Sequence, residues 1–374
     1  FYEVDASGRE VGSATELNDT RPSPGGNIQT TIDLELQVYC EKLMVDKKGV
    51  ILVGEPLNGG ILAAVSSPDY PPDFFTGLIT ESDWNDIKTN PDKPLINRYI
   101  QGKYIPGSIV KMITQIALLK SQHFNKEVKQ YCPGFYQFGD RIFGCWYTEG
   151  HGELNVTEAM AVSCDVYFYK TVKQLNLRDL NNVFNDFGFG QKTKIDIPNE
   201  TVGLVPDSEY MRKRYGKYGW SRGVLLNLAI GQGELLVTPI QVLNYVNLLA
   251  TKGKAPNCHF VFVDNLPSNS SPNLEHQIWD NVHKGMRDAV ISKNGTGKKA
   301  DVNIKGFDLY GKTGTAENPH GDNHAWFVGW ADYNNEKYSI VILLENAGSG
   351  GTVAAPMAKK VFSKLIIDND IVLR

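Results

Sequence analysis

The chain has 374 residues, of which 41% are hydrophobic and 21% charged, the balance of an ordinary globular protein with room for roughly two or three domains. A formal net charge of −4 excludes the basic footprint of a nucleic-acid partner, and no run of about 18 apolar residues is present to cross a membrane as a helix. Five cysteines are too few for a disulfide scaffold in a chain this long, and an odd number cannot all pair within one chain.

Residues 1–28 are polar and rich in Gly, Ser, Pro and Thr, which predicts strand and loop. Thr30 or Thr31 is placed to cap a helix whose apolar residues are Leu34, Val38, Leu43 and Met44. Two apolar runs, Gly49–Gly54 and Ile61–Ser66, flank Leu57-Asn-Gly-Gly60 and predict a β-hairpin. Pro68–Pro94 reads as an ordered surface loop, Pro106–Lys120 as a helix, and residues 121–290 as mainly helical with long loops. Strands return at Asp308–Ala316, His324–Tyr333 and Tyr338–Glu345, and a last helix is expected over Thr352–Ile367. Strands near both ends with helices between predict an α+β fold, with one antiparallel sheet and an inserted helical subdomain.

Three motifs carry chemistry. In the first, Pro106-Gly107 precedes Ser108, and Lys111 follows one helical turn later on the same face, within an apolar run. A serine at a helix N-terminus sits among free N–H groups that favour negative charge. A serine hydroxyl becomes nucleophilic only when a neighbouring base takes its proton, and a buried lysine with a depressed pKa can be that base. Ser163-Cys164-Asp165 is the second motif: Ser163 offers a proton relay, and Asp165 is suited to hold Lys111 by a hydrogen bond. The third, Gly311-Lys312-Thr313-Gly314-Thr315, lies in a predicted strand. There Lys312 offers positive charge to a substrate carboxylate, Thr313 and Thr315 offer hydroxyls, and Gly314 allows a substrate backbone to lie close. The N–H groups of Ser108 and Thr315 are suited to an oxyanion hole. Alone, a serine-lysine pair is most often a helix cap with a surface lysine, and a Lys-Thr-Gly triplet a turn. Their ordered combination is what is specific.

Two further segments carry less. Asn294-Gly-Thr-Gly-Lys-Lys299 lacks the spacing of a phosphate loop and reads as a flexible turn, and Arg212–Lys217 reads as a solvated basic face. Cys132, Cys145, His151 and Cys164 are spaced by 13, 6 and 13 residues, and three Cys with one His make a tetrahedral zinc set. A Cys132–Cys145 disulfide, or a plain buried Cys164, fits the same residues.

This motif set is shared by penicillin-binding proteins and serine β-lactamases. The chain resembles the class B penicillin-binding proteins, and within them the elongation-type penicillin-binding protein 2 group, over roughly residues 25–370. The carriers are Arg98–Ser108, Gly150–Asn155, Ser163–Tyr169, Ile230-Gly-Gln-Gly233 with Thr238-Pro-Ile-Gln241, and Lys312–Glu317. The resemblance implies the penicillin-binding/β-lactamase-like fold, a five-stranded antiparallel sheet flanked by helices, with a helical subdomain over approximately 100–290. Residues 29–374 would form the transpeptidase domain and 1–28 the end of a truncated pedestal or linker. It implies a peptidoglycan D,D-transpeptidase inhibited by β-lactams, with Ser108 as nucleophile, Lys111 as base, Ser163 as proton shuttle, and Lys312, Thr313 and Thr315 as carboxylate and oxyanion binders. The wider family usually has Asn where Asp165 stands, which removes a direct amide contact with substrate. Acyl transfer would need no cofactor, while the group's association with zinc favours the Cys/His reading. A SEDS-type glycosyltransferase, a rod-shape scaffold protein and a periplasmic location on an inner-membrane anchor are further implications. A serine β-lactamase and a non-catalytic penicillin-binding sensor or scaffold are the alternatives on the same fold.

Overall fold

The structure is a computed structural model that describes residues 2–13, 23–216, 219–263, 272–319 and 321–372. It divides at Thr30/Thr31 into two units. In the first, β1 (Tyr2–Val4) pairs antiparallel with β2 (Glu10–Ser13). Residues 14–22 of the expected polar lead lie outside the described residues.

The second unit opens with α1 (Leu34–Met44), β3 (Gly49–Gly54) and β4 (Ile61–Ser67). Then follow α2 (Glu81–Thr89), α3 (Arg98–Gln101) and α4 (Lys111–Lys120). Four short strands come next, β5 (Gln130–Cys132), β6 (Phe135–Phe138), β7 (Arg141–Gly144) and β8 (Gly152–Leu154). Helices α5 (Val156–Ala161), α6 (Asp165–Thr171), α7 (Leu177–Asp186), α8 (Ser208–Tyr215), α9 (Gly223–Ala229), α10 (Pro239–Ala250) and α11 (His276–Ile291) lead to the last strands. These are β9 (Asp308–Ala316), β10 (His324–Tyr333) and β11 (Glu336–Leu344), followed by α12 (Ala355–Val372).

The main sheet has the order β4-β3-β11-β10-β9 and is antiparallel throughout. Two of its strands precede the helical region and three follow it, so the helices are an insertion between β4 and β9, as the sequence predicts. Both faces of the sheet are covered. Val50, Leu52, Val328, Trp330, Val341 and Leu343 join the core of the insertion. Their neighbours Ile51, Val53, Phe327, Ile340 and Ile342 pack with Leu36 and Cys40 of α1 and Val361 and Phe362 of α12. That double burial is why these strands read as continuous apolar runs rather than as alternating ones. Local signals agree with the fold: α5, α7 and α10 start on reciprocal capping boxes, Asn155/Glu158, Asn176/Asp179 and Thr238/Gln241.

Several expectations need correction. The cap of α1 is Asp33, whose carboxylate accepts from the Leu36 N–H, not Thr30 or Thr31. Thr31 is already committed, donating its N–H to Phe260 O and its hydroxyl to Ile61 O. The buried face of α1 is accordingly Leu36, Cys40 and Met44, while Leu34 and Val38 are exposed. Pro68–Pro94 contains a 3₁₀ turn at Pro72–Phe75 and the exposed helix α2. The middle segment is not only helical, because β5 pairs with β8 and β6 with β7. The last strand starts at Glu336 because Asn334 and Asn335, both at positive φ, form a two-residue hairpin turn. Leu343→Ala, in the central strand, is expected to lower the unfolding free energy by about 2–5 kcal/mol in denaturant titration.

Candidate active site

The segment before α4 is pinned from several sides. Tyr104 exchanges backbone hydrogen bonds with Val237, the Gly107 N–H donates to Gly231 O at 2.8 Å, and the Trp326 indole donates to Ile105 O at 3.1 Å. A 3₁₀ turn at Gly107–Val110 then runs into α4, leaving Ser108 half-buried in the first turn and Lys111 one turn later, fully buried. Gly314 is where this segment meets β9. A Cβ there would stand 2.8 Å from Ile109 Cγ2 and 3.1 Å from Pro106 O. The missing side chain therefore admits the nucleophile segment itself, where the sequence had suggested substrate.

Ser163 terminates α5. Its N–H donates to Met160 O and that of Cys164 to Ala159 O, with Ser163 at φ 55°, the pattern of a Schellman C-cap. That position usually holds glycine, and a side chain there costs about 1–2 kcal/mol. The turn aims two oxygens at one target: Lys111 Nζ donates to Ser163 O at 2.8 Å and to Ser163 Oγ at 3.2 Å. Lys111 Nζ also reaches Asp165 Oδ1 at 2.8 Å, an ion pair almost free of water, and lies 5.5 Å from the Phe168 ring centroid. Cys164, not Asp165, caps α6, its Sγ accepting from the Tyr167 N–H.

Lys312 comes to the same hydroxyl from β9. It is fully buried, and Nζ donates to Ser163 Oγ at 2.7 Å and to Thr313 O at 2.9 Å. Burial first, and then the Lys111 ammonium, hold its pKa well below the ordinary 10.5, with Asp165 opposing. Burial and the neighbouring Lys111 thus oppose the positive charge that the sequence suggested there. Thr313 donates its hydroxyl to Thr296 at 2.7 Å, and Thr315 Oγ1 accepts from the Gly350 N–H at 3.4 Å. Thr296 belongs to the supposed flexible turn, yet that turn is tied to Ala161 O and Ala289 O. Sequence reading missed it because the partners lie on α5, α11 and β9. Arg212, Lys213 and Arg214 on α8 are exposed, as expected, and Lys217 lies outside the described residues.

The four candidate metal ligands converge. One donor atom from each of Cys132, Cys145, His151 and Cys164 lies within 4.8 Å of the others, and the thiols are free and buried. Cys132 ends β5, Cys145 follows β7 and His151 precedes β8, so the two small sheets gather three ligands while Cys164 comes from the second motif. His151 Nδ1 stands 3.7 Å from Cys132 Sγ and 3.5 Å from Cys145 Sγ. The hydrogen bond with Cys164 favours a thiolate at Cys145, and the same bond with burial keeps Cys164 protonated. The lobe is linked to the lysine pocket: the Trp146 N–H donates to Asp165 Oδ2 and its indole N–H to Val162 O, both at 3.0 Å.

This arrangement offers a helix-start serine, a dry pocket with two lysines on one hydroxyl, and an edge strand beside them. Comparison with known proteins agrees with it. The family model for the penicillin binding protein transpeptidase domain matches residues 49–363. The peptidoglycan D,D-transpeptidase MrdA of Haemophilus influenzae is 33% identical, with 96% of this chain and 59% of the relative covered. The solved structure of the penicillin-binding protein PBP2 from Helicobacter pylori superposes with a TM-score of 0.85 at 34% identity, covering 92% of this chain and 65% of that one. The same protein in complex with MreC gives 0.84 at 34% identity, covering 97% and 68%. The chain spans 59% to 62% of the length of the curated relatives from H. influenzae and Escherichia coli.

The depressed Lys312 pKa has a measurable consequence. An unfolded chain keeps that proton up to about pH 10.5, whereas the folded protein releases it earlier, so stability rises with pH between the two values. Lys312→Met should remove that rise, flattening the slope by at most about 1.4 kcal/mol per pH unit. Urea titrations from neutral to alkaline pH read this directly, and superimposable slopes would refute it.

Proposed function

The chain belongs to the penicillin-binding protein transpeptidase family, and from that premise we propose that it is a serine D,D-transpeptidase that crosslinks peptidoglycan stem peptides during cell-wall elongation. The observation that carries this reading is the Ser163 hydroxyl held at 3.2 Å from Lys111 and 2.7 Å from Lys312. It supplies a proton path between two amines in a pocket from which water is excluded.

Ser108 Oγ attacks the penultimate D-Ala carbonyl while Lys111 takes its proton. The oxyanion is held by the N–H groups of Ser108 and Thr315, and the terminal carboxylate by the hydroxyls of Thr315 and of Thr313, the latter turning from Thr296 to donate to it. The proton passes from Lys111 through Ser163 to the departing D-Ala amine, with Lys312 holding Ser163 in place. An acceptor amine from a second stem peptide then resolves the ester, its proton returning along the same path. Asp165 keeps Lys111 in position. β-Lactams acylate the same serine and leave no acceptor path open. Residues 29–374 form the catalytic domain in this reading, and residues 1–28 a pedestal or linker segment.

Partner and location follow from the relatives. The H. pylori complex supports a rod-shape scaffold protein as partner, and a SEDS-type glycosyltransferase is the expected source of glycan strands. A peptidoglycan substrate supports a location on the periplasmic face of the inner membrane; no helix among the described residues is long and apolar enough to span it.

Cys132, Cys145, His151 and Cys164 fit a structural zinc: three sulfurs and one imidazole nitrogen converge with no disulfide among them. Bound there, zinc would fix the loop carrying Trp146 to Cys164 and take no part in the chemistry. Metal analysis is expected to find one zinc per chain, absent from Cys145→Ser. Free zinc at 100 times its Kd should add about 2.7 kcal/mol to unfolding, lost on chelation; an unchanged midpoint would reject the site.

Incubation with a labelled penicillin, followed by intact mass, tests the reaction. A stable adduct absent from Ser108→Ala is the expected result. An adduct cleared within seconds would mean a β-lactamase, and none at all a non-catalytic protein.

A further inference from the structure

The turn Ile230-Gly-Gln-Gly233 between α9 and α10 packs against the segment that carries Ser108. Gly231 is at φ 75°, and a Cβ there would stand 2.1 Å from Gly107 O, so the two backbones are in direct contact. Gly107 in turn lies against β9, where a Cβ on it would stand 2.6 Å from Thr315 O. Gln232 spans what remains. Its Nε2 donates to Thr315 O at 3.1 Å and its Oε1 accepts from the Glu317 N–H at 3.4 Å. Only one orientation of the amide satisfies both bonds.

β9 is the edge of the sheet, so half of its backbone groups have no strand partner. In an antiparallel ladder the N–H and C=O of one residue point to the same side. Gln232 takes the Thr315 carbonyl and Lys312 the Thr313 carbonyl, which puts both residues' polar backbone groups on the free edge. The Thr315 N–H therefore faces the side on which Ser108 approaches. Gln232 fastens the strand on that side, and Gly231, in the same turn, accepts from the Gly107 N–H.

We propose that Gln232 is a positioning residue that sets the width of the oxyanion hole, by holding the Thr315 backbone at a fixed distance from the Gly107–Ser108 peptide. It touches no reacting atom; it acts through the two N–H groups, whose benefit depends on their spacing around the developing oxyanion. The inference rests on the acyl-transfer reading above and adds a residue to it.

A merely structural glutamine would affect binding and chemistry alike or neither, and this separates the two. Stopped-flow acylation by a penicillin resolves the pre-covalent dissociation constant from the acylation rate constant. A boronic acid that bonds to Ser108 Oγ, its proton passing to Lys111, puts a tetrahedral anion into the same hole. Gln232→Met keeps the length and loses both bonds; Gln232→Glu keeps the shape and loses the donor. Each is expected to slow acylation at least about tenfold and to weaken the boronate by a similar factor, with the pre-covalent constant unchanged. Unfolding midpoints establish which variants are folded, and Gln232→Glu serves if Gln232→Met is not. Wild-type acylation rates in the variants, or equal losses in pre-covalent and boronate affinity, would overturn the inference. A folded wild type that never acylates would instead remove the acyl-transfer reading, and this inference with it.

Discussion

Two lysines, Lys111 and Lys312, are completely buried within reach of one hydroxyl, and Asp165 is the carboxylate paired with them among the described residues. Two ammonium groups and one carboxylate in a dry pocket leave a positive charge with no solvent to spread it. A buried charge of that kind is relieved by giving up a proton. Lys111 has the Asp165 carboxylate at 2.8 Å, whereas Lys312 has no carboxylate partner among the described residues, and burial with the neighbouring Lys111 pushes its pKa down. A pocket that disfavours a second positive charge beside one hydroxyl is suited to moving a proton through that hydroxyl.

Much of the surrounding structure serves to hold that pocket closed. The Schellman turn at the end of α5 places a non-glycine residue in the left-handed region so that Ser163 offers both its carbonyl and its hydroxyl to Lys111. The Cys/His lobe supports the turn from outside, through Trp146, which bonds to Val162 on one side of Ser163 and Asp165 on the other. On the far side, Gly314 has no Cβ, so the 3₁₀ turn that leads into α4 can seat on β9. Strain in the turn is tolerated because three separate elements over-determine it.

The sheet and the motifs were legible in the sequence because they obey local rules. The β3–β4 hairpin, the late strands and the Ser108 helix announce themselves by turn residues and apolar runs, and each motif residue falls inside a recognisable element. The Cys/His set was legible as well, since four soft ligands crowd into one short stretch. What escaped was decided at a distance. Thr31 looks like a helix cap, but a strand carbonyl 30 residues away claims its hydroxyl. The short β5–β8 and β6–β7 pairs lack the length to give a periodic signal. Thr296 and Gln232 lie in turns whose local sequence says only that the chain bends. Their roles depend on β9, which follows them by more than ten residues and is brought beside them only when the last three strands complete the sheet.

That dependence has a consequence for how the site comes to exist. Ser108, Lys111 and Ser163 belong to the helical insertion, whereas Lys312 and Thr315 belong to strands that close the sheet. Neither part holds the cluster alone: without β9, the Ser163 hydroxyl loses one of its two lysines. The join between them includes close approaches at Gly107, against Thr315 O, and at Gly314, against Ile109 Cγ2 and Pro106 O, where a side chain would force the two parts away from each other. A close-packed seam of that kind resists gradual deformation. Small displacements along it would change the approach of the Ser108 segment to β9 and the Lys312–Ser163 hydrogen bond together.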